Sequence, residues 1–186
     1  FRIGSEPAAA PVVVGEQLFV QNSLDALLVL NLFTGEEEWR CDRYEDGGRP
    51  QTVTVFGHTR PTPVLLPLAD RGRASSVVLV GSSDGTISAY NASPSDGECE
   101  TIWSRALGRK GQDFPDVDAG PVVLDGVVYT ASYNGGLYAL RLGDGQVLWQ
   151  RAKLVGVHGI SADAERLYLA ARGRIAALDR STGKTV

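Results

Sequence analysis

Four copies of one short pattern constrain this chain more than any other feature in it. Three are a glycine turn that leads to a tryptophan: Thr34-Gly35-Glu36-Glu37-Glu38-Trp39, Asp96-Gly97 ahead of Trp103, and Asp144-Gly145-Gln146-Val147-Leu148-Trp149. The fourth, Ser181-Thr182-Gly183-Lys184-Thr185-Val186, stops one residue before its Trp would fall. A second turn residue lies ten positions upstream of three of these glycines, at Asp25, Gly135 and Gly173. In the remaining unit Gly85 lies twelve upstream, which fits a two-residue insertion around Ser93-Pro94-Ser95. Short β-rich runs fill the intervals: 26–32, 86–92, 136–142 and 174–180 between the two turns, and 17–20, 77–80, 127–131 and 167–171 before them. Leading runs start at Pro11, Pro63 and Pro121, with Ile160-Ser161-Ala162 in that place in the fourth unit. Runs of this kind, bounded by Gly, Asp, Asn and Ser, predict strands. No segment sustains a 3.6-residue apolar period, so no helix of consequence is expected.

Glycine-to-glycine spacings of 62, 48 and 38 give a minimal unit of about 38 residues with loop insertions in the first two intervals. Four-stranded units at this period predict an all-β fold, a β-propeller of four-stranded antiparallel blades. The expected blades are about 10–42, 60–107, 119–153 and 157–186, the last truncated. With no Met in the chain, Phe1 is not a translation start, and the expectation is a processed, excised or partial chain.

The residues of these units resemble the quinoprotein-type (PQQ-like) repeat. Leu137-Tyr138-Ala139-Leu140 followed by Asp144–Trp149 carries the likeness, and Ala176-Ala177-Leu178-Asp179-Arg180-Ser181-Thr182-Gly183 follows its Ala-Leu-Asp-x-x-Thr-Gly core more closely still. Asn31, Asn91 and Arg141 depart from it where Asp179 carries the aspartate. The resemblance implies that four such units are an arc of a larger ring of six to eight blades, or are completed by a partner chain. It also implies that the Trp and Gly of each blade dock against the neighbouring blade. Gly35, Trp39, Gly97, Trp103, Gly145, Trp149 and Gly183 are therefore expected to be structural docking residues.

Charge and targeting narrow the function classes. A net charge of −4 argues against a dedicated nucleic-acid binder. The longest apolar runs, such as 26–30 and 77–80, are far short of a membrane span. Cys41 and Cys99, 58 residues apart, form neither a disulfide framework nor a metal pattern. Two unpaired thiols are the first expectation, and a disulfide is the alternative.

Loops on a rigid β scaffold are the usual place for recognition. In a propeller the turns between second and third strands and the blade-to-blade connections open on one face. The turns contribute Asn22, Asp25, Ser83, Asp84, Tyr133, Asn134 and Arg172, and the connections His58, Arg60, Arg109, Lys110, Asp113, Asp116, Asp118 and His158. Arg60, Arg109, Lys110, Asp113, Asp116, Tyr133 and His158 are the candidate partner-contact residues, with the insertion 41–60 and the segment 108–118 as the main surfaces. Sharper chemistries lack their patterns. Asp113, Asp116 and Asp118 lack the glycine placement and terminal Glu of an EF-hand loop. Gly183-Lys184-Thr185 lacks the earlier glycine of a P-loop, which falls on Leu178. His58 and His158 have no Cys or His at ligand spacing, and no nucleophile-elbow or His-Glu-x-x-His motif is present. Asn91-Ala92-Ser93 is a glycosylation sequon followed by Pro94. No catalytic residue, cofactor or metal site is assigned.

Two functions remain. The first is a non-catalytic scaffold that binds protein partners through loops on one face. Within the PQQ-like propellers this is similar to the outer-membrane assembly lipoproteins of the BamB type and to solitary bacterial PQQ-repeat proteins. That resemblance implies an envelope protein, periplasmic or otherwise extracytoplasmic, whose partners are other envelope proteins or a chain completing the propeller. The alternative is a fragment of a PQQ-dependent alcohol or sugar dehydrogenase. Its resemblance implies an adjacent cysteine pair over the cofactor beside Ca²⁺, which Cys41 and Cys99 do not supply.

Overall fold

The alternating apolar runs become strands of one repeated unit. The computed structural model describes residues 5–42, 62–66, 75–108, 115–117 and 119–186. Among these residues there are fifteen strands. The first sheet holds β1 (Val12–Val14), β2 (Gln17–Gln21), β3 (Leu27–Asn31) and β4 (Glu37–Cys41). The second holds β5 (Thr62–Leu66), β6 (Ser75–Gly81), β7 (Thr86–Asn91) and β8 (Thr101–Ala106). The third holds β9 (Ala119–Leu124), β10 (Val127–Ser132), β11 (Gly136–Arg141) and β12 (Val147–Arg151). The last holds β13 (Val157–Ala162), β14 (Arg166–Ala171) and β15 (Arg174–Asp179). Strands pair antiparallel with their chain neighbours, so each sheet is a meander. After β15 one bridge, Leu178 to Thr185, stands where the other sheets have a fourth strand. The first strands β1, β5, β9 and β13 neighbour one another in succession, which makes the sheets consecutive blades of a propeller.

Each sheet is apolar on both faces, so each must be covered by a neighbour. Phe19, Leu27, Val29 and Trp39 of blade 1 pack on Val78, Val80, Tyr90 and Ala92 of blade 2. The opposite face of blade 2, with Val77, Leu79, Ile87, Ala89 and Trp103, packs on Val128, Tyr138, Leu140 and Leu142 of blade 3. Blade 3 then sets Tyr129, Ala131, Leu137 and Ala139 against Leu167, Leu169 and Leu178 of blade 4. Leu27, Ile87 and Leu137, the equivalent positions of blades 1 to 3, are at most 1% exposed, whereas Ile175 at that position in blade 4 is 82% exposed.

The tryptophans owe their direction to an irregularity that recurs in three blades. Val29, Ala89 and Ala139 pair with Trp39, Trp103 and Trp149, and in each case the register shifts by one residue immediately afterwards. A bulge of this kind increases local twist and re-aims a side chain. Here it turns the indole onto the next blade. A Cβ placed on Gly145 would come within 2.6 Å of the Trp103 ring, and one on Gly183 within 2.8 Å of the Trp149 ring.

The Ala-Leu-Asp-x-x-Thr-Gly core also acquires a physical basis. Asp179 Oδ1 accepts hydrogen bonds from the Thr182 N–H at 2.7 Å, the Thr182 hydroxyl at 2.6 Å and the Ser181 hydroxyl at 2.8 Å. These donors, the Thr182 hydroxyl first, hold the Asp179 carboxyl down to about 2. Asn31 Oδ1 accepts from the Phe33 and Thr34 N–H groups, and Asn91 Oδ1 from the Ser93 N–H, so both departures keep the acceptor. Arg141 cannot accept and instead pairs with Asp144 at 2.8 Å.

Two expectations are corrected here. Cys41 and Cys99 are not free thiols; they form a disulfide, with a Cα–Cα distance of 5.1 Å. The blade repeat causes this, because it lays the end of β4 beside the turn between the third and fourth strands of the next blade. The insertion in that turn is also larger than two residues. The turn closes from the Asn91 N–H to the Glu100 carbonyl, where blades 1 and 3 close from Asn31 to Glu36 and from Arg141 to Gln146. Measured from the following strand, Cys99 rather than Gly97 occupies the place of Gly145 and Gly183. Gly97 keeps a positive φ of 73°, but a Cβ there would meet only the Glu38 carbonyl, at 3.5 Å.

Candidate functional site

In blades 1 to 3 the turns between second and third strands start with a buried polar residue: Asn22, Ser82 or Ser132. Asn22 Oδ1 accepts from the Leu24 and Ala26 N–H groups, and Ser132 Oγ accepts from the Gly135 N–H. These side chains satisfy turn amides that strand pairing leaves over. The turns project from one end of the blades and are stitched to each other across the seams.

At the first seam Asp25 sits in the left-handed region at φ 61° and is only 3% exposed. Its carboxylate accepts from the Ser83 hydroxyl at 2.5 Å, from the Ser83 N–H at 3.1 Å and from Gln21 Nε2 at 3.4 Å. Gln21 Nε2 also donates to the Gly81 carbonyl at 2.9 Å, so blade 1 is latched to blade 2 at two points. At the second seam the Val117 N–H donates to the Ser82 carbonyl, the Tyr133 N–H to the Asp116 carbonyl and the Ser132 hydroxyl to the Pro115 carbonyl. At the third the Gly156 N–H donates to the Tyr133 carbonyl at 2.7 Å. Arg172 lies over Gly156, where an added Cβ would be 3.0 Å from its side chain.

Asp25→Ala removes acceptors that buried donors need and leaves alanine at a positive φ. Together these should cost about 1–3 kcal/mol. Urea unfolding of the variant beside Asp25→Asn, which tolerates the left-handed conformation, checks this. Equal stability of Asp25→Ala and the parent would rule out the latch.

The structure brings together three of the seven candidate contact residues. Asp116 and Tyr133 are joined by the backbone bond above, and His158 follows Gly156 by two residues with its Nδ1 3.3 Å from the Gly156 carbonyl. His158 is exposed and Tyr133 half-buried. Asp116 is 1% exposed, so its side chain lies behind the surface and not on it, which corrects its expected role in contact. Arg60, Arg109, Lys110 and Asp113 lie outside the described residues, as do His58, Asp118 and nearly all of the 41–60 insertion. The two anchors of segment 108–118 are visible. The Gly108 N–H donates to the Tyr138 hydroxyl at 2.8 Å, and a Cβ on Gly135 would be 2.8 Å from Gly108 Cα. At the other anchor, a Cβ on Gly85 would be 2.7 Å from Pro115 Cβ. Both anchors therefore belong to this face.

Sequence reasoning missed Gln21 and Ser132, whose roles depend on a partner across a turn or seam. It also missed Arg105 and Arg151. Arg105 Nε donates to the Gly145 carbonyl at 3.0 Å and Arg151 Nε to the Gly183 carbonyl at 2.9 Å, each tying one blade to the next. Arginine two residues after Trp103 and again after Trp149 was a visible signal. Among the described residues no three His, Cys, Asp or Glu side chains gather in a way that could hold a metal ion. No helix among them is long and apolar enough to cross a membrane.

Comparison with known proteins places this geometry. The family described as "Outer membrane protein assembly factor BamB" matches residues 1–186. The protein of that name from Yersinia pestis is 30% identical over 190 residues, covering 99% of this chain and 43% of its own length. The one from Vibrio cholerae is 30% identical over 172 residues, covering 90% of this chain and 39% of its own length. The chain thus spans well under half of these curated relatives. Among solved structures, BamB from Moraxella catarrhalis superposes with a TM-score of 0.73 at 21% identity, over 100% of this chain and 52% of that one. Quinohemoprotein alcohol dehydrogenase from Comamonas testosteroni gives 0.68 at 18% identity, over 98% of this chain and 34% of that one. These two structural likenesses establish the fold.

Proposed function

Because this chain belongs to the family of the outer membrane protein assembly factor BamB, we propose that it is a non-catalytic propeller segment that binds protein partners in outer membrane protein assembly. The contact surface is the loop face, and the working compartment is extracytoplasmic. The family match over the whole chain carries this reading. The stitched face supports it, because hydrogen bonds across three seams hold the turns together while leaving His158 exposed and Tyr133 half-buried. A pre-ordered loop surface loses less freedom on binding than a mobile one. Arg60, Arg109, Lys110 and Asp113 complete the proposed contact set with Tyr133 and His158.

The dehydrogenase reading has a structural likeness behind it and no more. Cys41 and Cys99 join the outer strand of one blade to a turn of the next, so they are not an adjacent pair over a cofactor. The residues present do not fit that group.

Photocrosslinkers placed at Tyr133 and His158, and at Leu148 on the outer strand as a control, test the proposal in intact cell envelopes. The expected result is an adduct with a component of the outer-membrane assembly machinery from the first two positions. Charge reversal at Arg109 and Lys110 should weaken that adduct at least tenfold. Equal labelling from Leu148, or dye reduction with alcohols or sugars after addition of PQQ and Ca²⁺, would overturn it.

A further inference from the structure

The three blade seams solve one problem in two ways. At the second and third seams an arginine two residues past the tryptophan donates to the carbonyl of the next blade's docking glycine: Arg105 to Gly145, and Arg151 to Gly183. The position two past Trp39 is Cys41, and the place of the docking glycine is held by Cys99. Those two residues are joined by the disulfide. The noncovalent docking at this seam is also reduced. The Trp103 indole N–H donates to the Leu142 carbonyl at 2.7 Å, whereas the buried Trp39 indole N–H has no acceptor among the described residues. Among the described residues no glycine is pressed on the Trp39 ring as Gly145 is on Trp103.

The geometry points to the Cys41–Cys99 disulfide as a redox-released clasp, the covalent replacement at the first seam for the arginine–glycine hydrogen bond of the other two. Its closure passes two electrons and two protons from the thiols to a disulfide-bearing oxidant, which becomes a dithiol. Its opening is the reverse exchange. Cys99 is exposed while Cys41 is 3% exposed, so a dithiol reductant attacks Cys99 Sγ and Cys41 leaves as a thiolate that takes up a proton. The second thiol of the reductant then closes its own disulfide and frees Cys99. Once open, the outer part of this seam has neither clasp and should separate locally, while the other two stay shut.

Hydrogen–deuterium exchange read by mass spectrometry, on the chain with and without dithiothreitol, tests this. The oxidised chain should have a mass two daltons below the reduced one. Reduction should speed exchange at least tenfold in Glu37–Cys41 and in residues 91–101, and leave Val147–Arg151 and residues 179–185 unchanged. A Cys41→Ser/Cys99→Ser variant should match the reduced chain. A Cys41→Arg/Cys99→Gly variant, which restores the arginine–glycine pair, should keep protection within about threefold of the oxidised parent and ignore dithiothreitol. Unchanged exchange on reduction, equal loss at all three seams, or an Arg/Gly variant as open as the Ser/Ser one would each overturn the inference.

Discussion

Trp103→Ala should lower stability by about 3–5 kcal/mol, the range for removing a large buried aromatic side chain. The ring is 8% exposed and packs among Val77, Leu79, Ile87 and Ala89 of its own blade and Tyr138, Leu140 and Leu142 of the next. Its loss opens a cavity at the seam and strands the Leu142 carbonyl that its N–H reaches. Trp103→Phe keeps most of the apolar area but loses the hydrogen bond, so a cost nearer 1 kcal/mol is expected from that bond. Urea denaturation followed by fluorescence and circular dichroism measures both. In a linear array, stability depends on each repeat and on its interfaces with neighbours. Trp103→Ala should therefore also broaden the transition, as blades 1–2 and 3–4 begin to unfold separately. A cost under about 1.5 kcal/mol would show that the indole is peripheral to the seam.

The repeat made most of the architecture readable. Each strand is short, alternates with turn residues and recurs at a fixed place relative to Gly35, Gly145 and Gly183. Local periodicity is enough to find such elements, because neighbouring strands are also neighbours in the sheet. What lay between blades was harder. Cys41 and Cys99 are a blade apart in sequence, and only the superposition of one blade on the next shows that positions after a Trp face the following glycine turn. The extended turn between Asn91 and Glu100 hid this further, because it moved the visible Gly97 away from the docking place. Of the candidate site, the nearness of Asp116, Tyr133 and His158 at one end of the blades was legible from the topology of a propeller. The inward turn of Asp116 was not, since an aspartate in a polar connector reads the same whether it points out or in.

Gly145→Ala should cost about 2–5 kcal/mol, by two separable effects. The residue has φ 66°, a region where a Cβ costs about 1–2 kcal/mol. The added methyl would also stand 2.6 Å from Trp103 Cε3 and 2.8 Å from Cδ2. The ring cannot retreat, because Leu142 and the apolar cluster hold it, and overpacking of this sort adds about 1–3 kcal/mol. Gly173→Ala separates the two. Gly173 has a similar φ of 71° but nothing within 4 Å of an added Cβ, so it should show the backbone cost alone. The difference between the variants in urea midpoint, at an unchanged m-value, measures the docking contact. Combining Gly145→Ala with Trp103→Ala supplies the decisive cycle, since the methyl then enters the space the indole vacated. The pair should be more stable than the sum of the single losses predicts, by about 1–2 kcal/mol of coupling. Strict additivity would mean that Gly145 is required for its backbone angle and not for the approach of the next blade.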